Sequence, residues 1–257
     1  MKIFRDLYNY RELLKTNVKK EIRGKYKGSF LGVLWSFVNP LLMVLVYAIV
    51  FPIILKNSEP NYIVFLITAV IPWNWFTTVV TQGSGTFLYN SNIIKKVYFP
   101  REIMPISIVT SGLVNFLISC IIILLFLIGS GIGLSWYILL LPIIVIVQYI
   151  LCLAIVLVLS SVNVYIRDLE YIVNFLVMML FYATPILYNS ASITGKLAVV
   201  LKLNPMAHII NAYRSIFFFQ TLPNLHVLAI IGLGSLILLF FAFKIFKKLE
   251  KGFAEEL

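Results

Sequence analysis

The sequence predicts an all-α integral membrane fold in one domain, and three observations carry that prediction. Apolar residues make up 61% of the 257 positions and charged residues only 12%, where a soluble domain carries roughly 25% charged residues. Mean hydropathy is +0.99, which is more apolar surface than a soluble fold of this size could hide. Charge-free runs long enough to cross a bilayer recur along the chain and leave no stretch for a separate soluble domain.

The N-terminal segment, residues 1–27, holds nine of the 21 Lys and Arg residues. In it Ile3, Phe4, Leu7, Tyr8, Leu14, Val18, Ile22 and Tyr26 recur at three- and four-residue steps, with Arg5, Arg11, Lys15, Lys19 and Arg23 between them. This spacing predicts an amphipathic helix lying flat on the inner leaflet, apolar face in lipid and cations toward lipid phosphates. Two roles fit it equally: an anchor that sets topology, and a seat for a substrate headgroup. The segment is too long and too charged for a signal-peptide n-region, and no A-x-A-like site closes the following apolar run, so the N-terminus reads as retained.

A hydrocarbon core about 30 Å thick takes about 20 helical residues, and six crossings fit. Residues 28–55 carry no charge and include Pro40 and Pro52. The second run, 61–82, holds Trp73, Trp75 and Phe76. Positions 103–166 form 64 residues without a charge, too long for one crossing, and GSGIGLSW at 129–136 divides them into two. A fifth run covers 171–189 and a sixth 225–243. The predicted organisation is an interface helix (1–27), spans one to five (28–189), an outer segment (190–223), and span six with a tail (224–257).

Connections on one side of these spans contain the N-terminal segment, Lys95, Lys96, Arg101, Arg167, Lys244, Lys247, Lys248 and Lys251, in all 17 of the 21 basic residues. The other side has Lys56, Lys196, Lys202 and Arg214. The excess predicts both termini in the cytoplasm. It also accounts for the net charge of +11 as a match to membrane lipids; no base-reading motif points to nucleic acid.

Residues 198–219 are fairly apolar but interrupted by Lys202, Asn204, Pro205, His208, Asn211 and Arg214. A central Lys or Arg costs about 2.5–3.5 kcal/mol on an insertion scale. Short or re-entrant helices on the outer side are therefore predicted. The alternative, a seventh full span, would carry the C-terminal lysines outside.

Several chemistries are disfavoured. Proton-coupled carriers need ionisable groups within the membrane and voltage sensors an Arg-rich helix, and none of the six runs has a charge near its middle. A membrane enzyme would need a metal or general-base cluster. Asp168 and Glu170 stand two residues apart, His208 and His226 are isolated, and no catalytic or metal set converges. The nearest approach to a phosphate-binding loop, SASITGKL at 190–197, lacks its first Gly and final hydroxyl. Cys120 and Cys152 lie within apolar runs and read as small hydrophobes.

The first inner loop, NIIKKVYFPREIMPI at 92–106, sets Tyr98 and Phe99 among Lys95, Lys96 and Arg101. Pro100 is placed to begin the next helix, with Glu102 in its first turn. Aromatics among charges in a cytoplasmic loop exceed what topology needs and suit docking to a soluble partner. Trp35, Tyr47, Phe51, Trp73, Trp75, Phe181, Tyr182 and Tyr188 lie in or beside the spans. Periodicity alone does not separate a lipid-facing belt from rings lining a pore.

Four strings, IRGKYKGSFLGVLWSFVNPLLMVLVYAIVF (22–51), NIIKKVYFPREIMPI (92–106), RDLEYIVNFLVMMLFYATPILY (167–188) and NPMAHIINAYRSIFF (204–218), occur in this order. They resemble the permeases of ABC-2-type polysaccharide exporters, which export O-antigen, teichoic acid or capsule, and the resemblance covers about residues 5–250. It implies a homodimer in the bacterial plasma membrane bound to two copies of a separate ATPase that holds ATP and Mg, with a polymer carried on undecaprenyl diphosphate. It implies an ATPase-coupling surface of Lys95, Lys96, Tyr98, Phe99, Pro100, Arg101 and Glu102, joined by Arg167, Asp168 and Glu170. Outer gate helices would contain Asn204, Pro205, His208, Asn211, Tyr213 and Arg214. Lys19, Lys20, Arg23, Lys25 and Lys27 would lie near the lipid diphosphate, and Tyr47, Phe51, Phe181 and Tyr182 along the pathway. An ABC-2 exporter of small hydrophobic molecules and a membrane-bound enzyme of glycan assembly are the alternatives.

Overall fold

The computed structural model describes residues 5, 8–24, 28–30, 32–55, 60–190, 193 and 195–257. Ile3, Phe4, Leu7, Lys25, Tyr26 and Lys27, which enter the sequence argument, lie outside the described residues. The described chain is helical throughout, with no strand.

The amphipathic segment forms helix α1, Arg11–Gly24. Leu13, Leu14, Asn17, Val18, Glu21 and Ile22 are half-buried, while Arg11, Glu12, Lys15, Lys19, Lys20 and Arg23 are exposed. Lys15 pairs with Glu12 at 2.8 Å across one turn, and that neighbouring cation holds the Glu12 carboxyl below its ordinary value. The half-buried face packs on the start of α6 (Ile103–Gly129).

Helix α2, Trp35–Leu55, leans on α3, Tyr62–Ser84, which is the central column of the molecule. Besides α2, α3 touches α6, α7 (Leu141–Asn163), α8 (Leu169–Tyr182) and α10 (Pro205–Phe217). Two glycines let neighbours come this close. A Cβ on Gly83 would overlap Val156 of α7, and one on Gly112 would overlap Val79 and Trp75 of α3. Buried Gln148 of α7 donates to the carbonyl of Pro72, 2.9 Å away, a polar tie between apolar helices.

Short helices α4 (Thr86–Tyr89) and α5 (Ser91–Lys96) follow α3. Pro100 does not begin the next helix: α6 starts at Ile103 and Glu102 is its N-cap. The chain turns first because Phe99 is buried and Glu102 is drawn into an ion pair with Lys247. The 64-residue charge-free run breaks where the glycines predict. Helix α6 ends at Gly129, Gly131 and Gly133 take positive φ (79° and 80°), and a 3-10 turn, Trp136–Leu140, leads into α7.

Among the described residues four helical stretches are long and apolar enough to cross a membrane: Tyr62–Ser84, Ile103–Gly129, Trp136–Asn163 and Leu225–Gly252. Two shorter apolar helices, Phe37–Phe51 and Leu169–Tyr182, occupy the places of the first and fifth runs. This is an integral membrane protein.

The 198–219 segment is two helices, α9 (Lys196–Leu203) and α10, of 8 and 13 residues. They part at Asn204, whose Oδ1 accepts from the Met206 and Ala207 amides at 2.9 and 3.4 Å, with Pro205 as the first helical residue. A single seventh span is thereby excluded. Helix α11, Leu225–Leu249, lies along α7 and is followed by a 3-10 turn, Glu250–Gly252, and α12, Phe253–Glu256.

Candidate transport pathway and coupling surface

Three groups of residues built by this fold correspond to the residues singled out in the sequence. The first is at the end that carries most of the Lys and Arg. Lys95, Lys96 and Val97 are exposed and Tyr98 is 96% exposed, whereas Phe99, one residue on, is 7% exposed. Arg101 donates to the backbone carbonyl of Glu250 and sits 5.5 Å from the centroid of Phe253. Buried Glu102 is paired with Lys247, which also reaches Glu250 at 3.0 Å. Fully buried Phe253 packs on Phe87 (4.8 Å), Phe246 (5.9 Å) and Tyr165 (6.4 Å). Tyr165 donates to the Leu249 carbonyl at 2.7 Å. The predicted coupling segment is thus strapped to the chain's C-terminal end.

The loop between α7 and α8 lies against the same region, through Glu170 and Tyr89. Arg167 and Asp168 are exposed, and Glu170 accepts a hydrogen bond from Tyr89, which pushes the Tyr89 phenol up to about 12. Lys19, Lys20 and Arg23 lie on the exposed side of α1, and Lys20 reaches Asn90 Oδ1 at 2.7 Å. Helix α1 is therefore tied to the turn between α4 and α5. Sequence reasoning missed Tyr89, Lys247, Glu250 and Phe253. The signal for Phe253 was a lone aromatic in the polar tail KKLEKGFAEEL.

The second group is aromatic. Tyr47 and Phe51 of α2 lie 5.8 Å apart edge to face, Tyr47 is 5.7 Å from Phe181, and Phe181 is 5.3 Å from Tyr182. Trp73 of α3 joins them, 5.9 Å from Phe181. The four predicted pathway rings come together. All but Phe51 line a 290 Å³ cavity between α2, α3 and α8, beside Asn74, Thr77 and Asn174.

The third group is the segment around α10. Asn204 Nδ2 donates to Thr184 Oγ1 (2.9 Å) and the Ala183 carbonyl (3.1 Å), His208 Nε2 contacts the Lys202 carbonyl (2.9 Å), and Asn211 donates to Ser190 Oγ at 3.2 Å. Tyr213 and Arg214 are interior residues, 0% and 1% exposed, and not surface groups of an outer loop. Arg214 donates to the carbonyls of Pro185, Ile186 and Tyr188, the last two at 2.5 and 3.3 Å. It fastens α10 to the turn after α8.

Residues 12–218 match the family described as ABC-2 type transporter. The chain is 36% identical, over 259 aligned positions covering 100% of both sequences, to the O-antigen export system permease protein RfbA of Myxococcus xanthus. It is 38% identical over 246 positions to the protein of the same name from Klebsiella pneumoniae, covering 95% of this chain and 94% of that one. This chain belongs to the ABC-2 type transporter family. The ABC-2 permease is a transporter's membrane subunit and not an enzyme, and family membership implies an ATPase partner encoded separately.

Proposed function

We propose that this chain is the permease subunit of an ATP-driven exporter that moves an O-antigen type polysaccharide, linked to undecaprenyl diphosphate, from the cytoplasmic to the outer side of the bacterial plasma membrane. One observation carries the reading: identity of 36–38% to permeases named for O-antigen export, over nearly the whole of each chain. The charge-free span interiors support it, because they hold no site for a proton and leave the driving force to the ATPase.

In this reading α2 and α8 complete six spans, both termini are cytoplasmic, and two permease copies associate with two ATPase copies. Lys95, Lys96 and Tyr98, with Arg167 and Asp168, meet the ATPase. Closure of the ATPase pair on ATP moves that surface as a rigid body and opens a path past Tyr47, Phe51, Phe181 and Tyr182. Residues 204–214 form the outer gate, and Lys19, Lys20 and Arg23 lie by the lipid diphosphate on the inner leaflet.

Deleting the gene tests the proposal. Lipid-linked polymer is expected to accumulate inside the cell while surface glycan disappears. Normal surface glycan with no internal polymer overturns it.

A further inference from the structure

Helices α2, α3 and α6 line a cleft of 550 Å³. Its lining mixes polar and apolar side chains and holds no charged residue. Four carboxamides face it: Asn39 from α2, Asn74 and Gln82 from α3, and Asn115 from α6. None of the four makes a side-chain hydrogen bond among the described residues. Two indoles, Trp35 and Trp75, complete the walls. Trp35 is held by a 2.8 Å bond to Ser29 Oγ, and Trp75 is stacked 4.9 Å from Phe116.

An amide left without a partner in a bilayer costs several kcal/mol, about 1–3 even by the conservative mutational scale. Four on one cleft select against a lipid chain as its occupant. The absence of any cation selects against a phosphate or diphosphate. Carboxamides that both donate and accept, set beside the partly exposed indole of Trp35, match one ligand chemistry: an uncharged ring bearing several hydroxyls.

We propose that this cleft is a binding site for an uncharged sugar unit of the exported glycan, beside the aromatic cavity on the adjacent face of α3. Asn74 and Met43 line both spaces. The proposal rests on the glycan-export reading above, and its test separates the two.

The test uses the full-length permease with its ATPase in cells making the polymer. The photoreactive residue benzoylphenylalanine is placed at position 82 or 39 in the cleft, at 181 in the aromatic cavity, or at 237 on the exposed face of α11. Irradiation is expected to give a glycan-bearing adduct from 82, 39 and 181, lost when glycan synthesis is blocked, and none from 237. Adducts from 181 alone overturn the cleft and leave the export reading standing. No glycan adduct from any position, with surface polymer normal, overturns both. A product of twice the chain mass from 82 shows that a second copy fills the cleft and also overturns the proposal. As a check free of the probe, Asn39→Leu with Gln82→Leu is expected to slow the appearance of surface polymer several-fold at unchanged membrane level. An unchanged rate counts against the site.

Discussion

The guanidinium of Arg214 lies over the ring of Phe65, its central carbon 3.5 Å from the ring centroid, while its nitrogens donate to carbonyls of the 185–188 turn. One side chain therefore ties α10 to α3 and to the end of α8. Replacing Arg214 by Ala strands those carbonyls in a buried setting, at about 1–3 kcal/mol for each group left unpaired. Arg214→Ala is expected to lower markedly the temperature at which detergent-purified permease aggregates, and Arg214→Lys, which lacks the planar fork, to restore only part of it. An alanine variant as heat-resistant as the parent removes the clamp from the account.

Tyr98 and Phe99 are neighbours with opposite surroundings, 96% and 7% exposed. Tyr98→Ala is expected to leave stability unchanged but reduce recovery of the ATPase when the permease is affinity-purified. Phe99→Ala is expected to destabilise the permease itself, by about 3–5 kcal/mol if its site fails to collapse. Equal effects of the two on ATPase recovery, at equal permease stability, would sink this division of labour.

Lys247 neutralises a carboxylate that has almost no access to solvent. Lys247→Met leaves Glu102 buried and unpaired, a larger loss than an exposed ion pair is worth. The double variant Lys247→Met with Glu102→Gln removes the charge with its partner and is expected to recover much of that loss. Melting curves of the four proteins give the coupling directly, and strict additivity is the result that refutes it.

The Tyr89–Glu170 hydrogen bond supplies a pH signature. The phenol is raised from its ordinary value of 10.0 to about 12, chiefly by that bond, so its contribution is whole below pH 10.0 and is lost as pH rises toward 12. Tyr89→Phe is expected to lower stability modestly at neutral pH, where the bond is intact, and to flatten the further loss across that alkaline window. A parent and variant with the same alkaline profile would show the bond to be without consequence.

Much of this architecture was legible in the sequence because membrane helices announce themselves by length and by missing charges. The break at Gly131 and Gly133 showed for the same reason: two glycines in an otherwise apolar run leave little else to happen. Residues acting through distant backbone did not show. Arg214 reads as interfacial on any insertion scale, because the carbonyls that accept from it come from a turn 26–29 residues upstream. Glu102 reads as a helix N-terminal anion until Lys247 closes on it from the far end of the chain. The polar stripe of α3, Asn74, Thr77, Thr78, Thr81 and Gln82, follows helical spacing. It went unmarked because the runs were delimited by charge alone.

Helix α8 has 14 residues, a rise of about 21 Å, roughly two-thirds of the hydrocarbon thickness that the helices around it span. In the six-span reading, lipid against α8 dips or thins to meet it, and the bilayer is shallowest beside this helix. In that reading a hydrophilic polymer passing beside α8 has less oil to cross than along the longer helices.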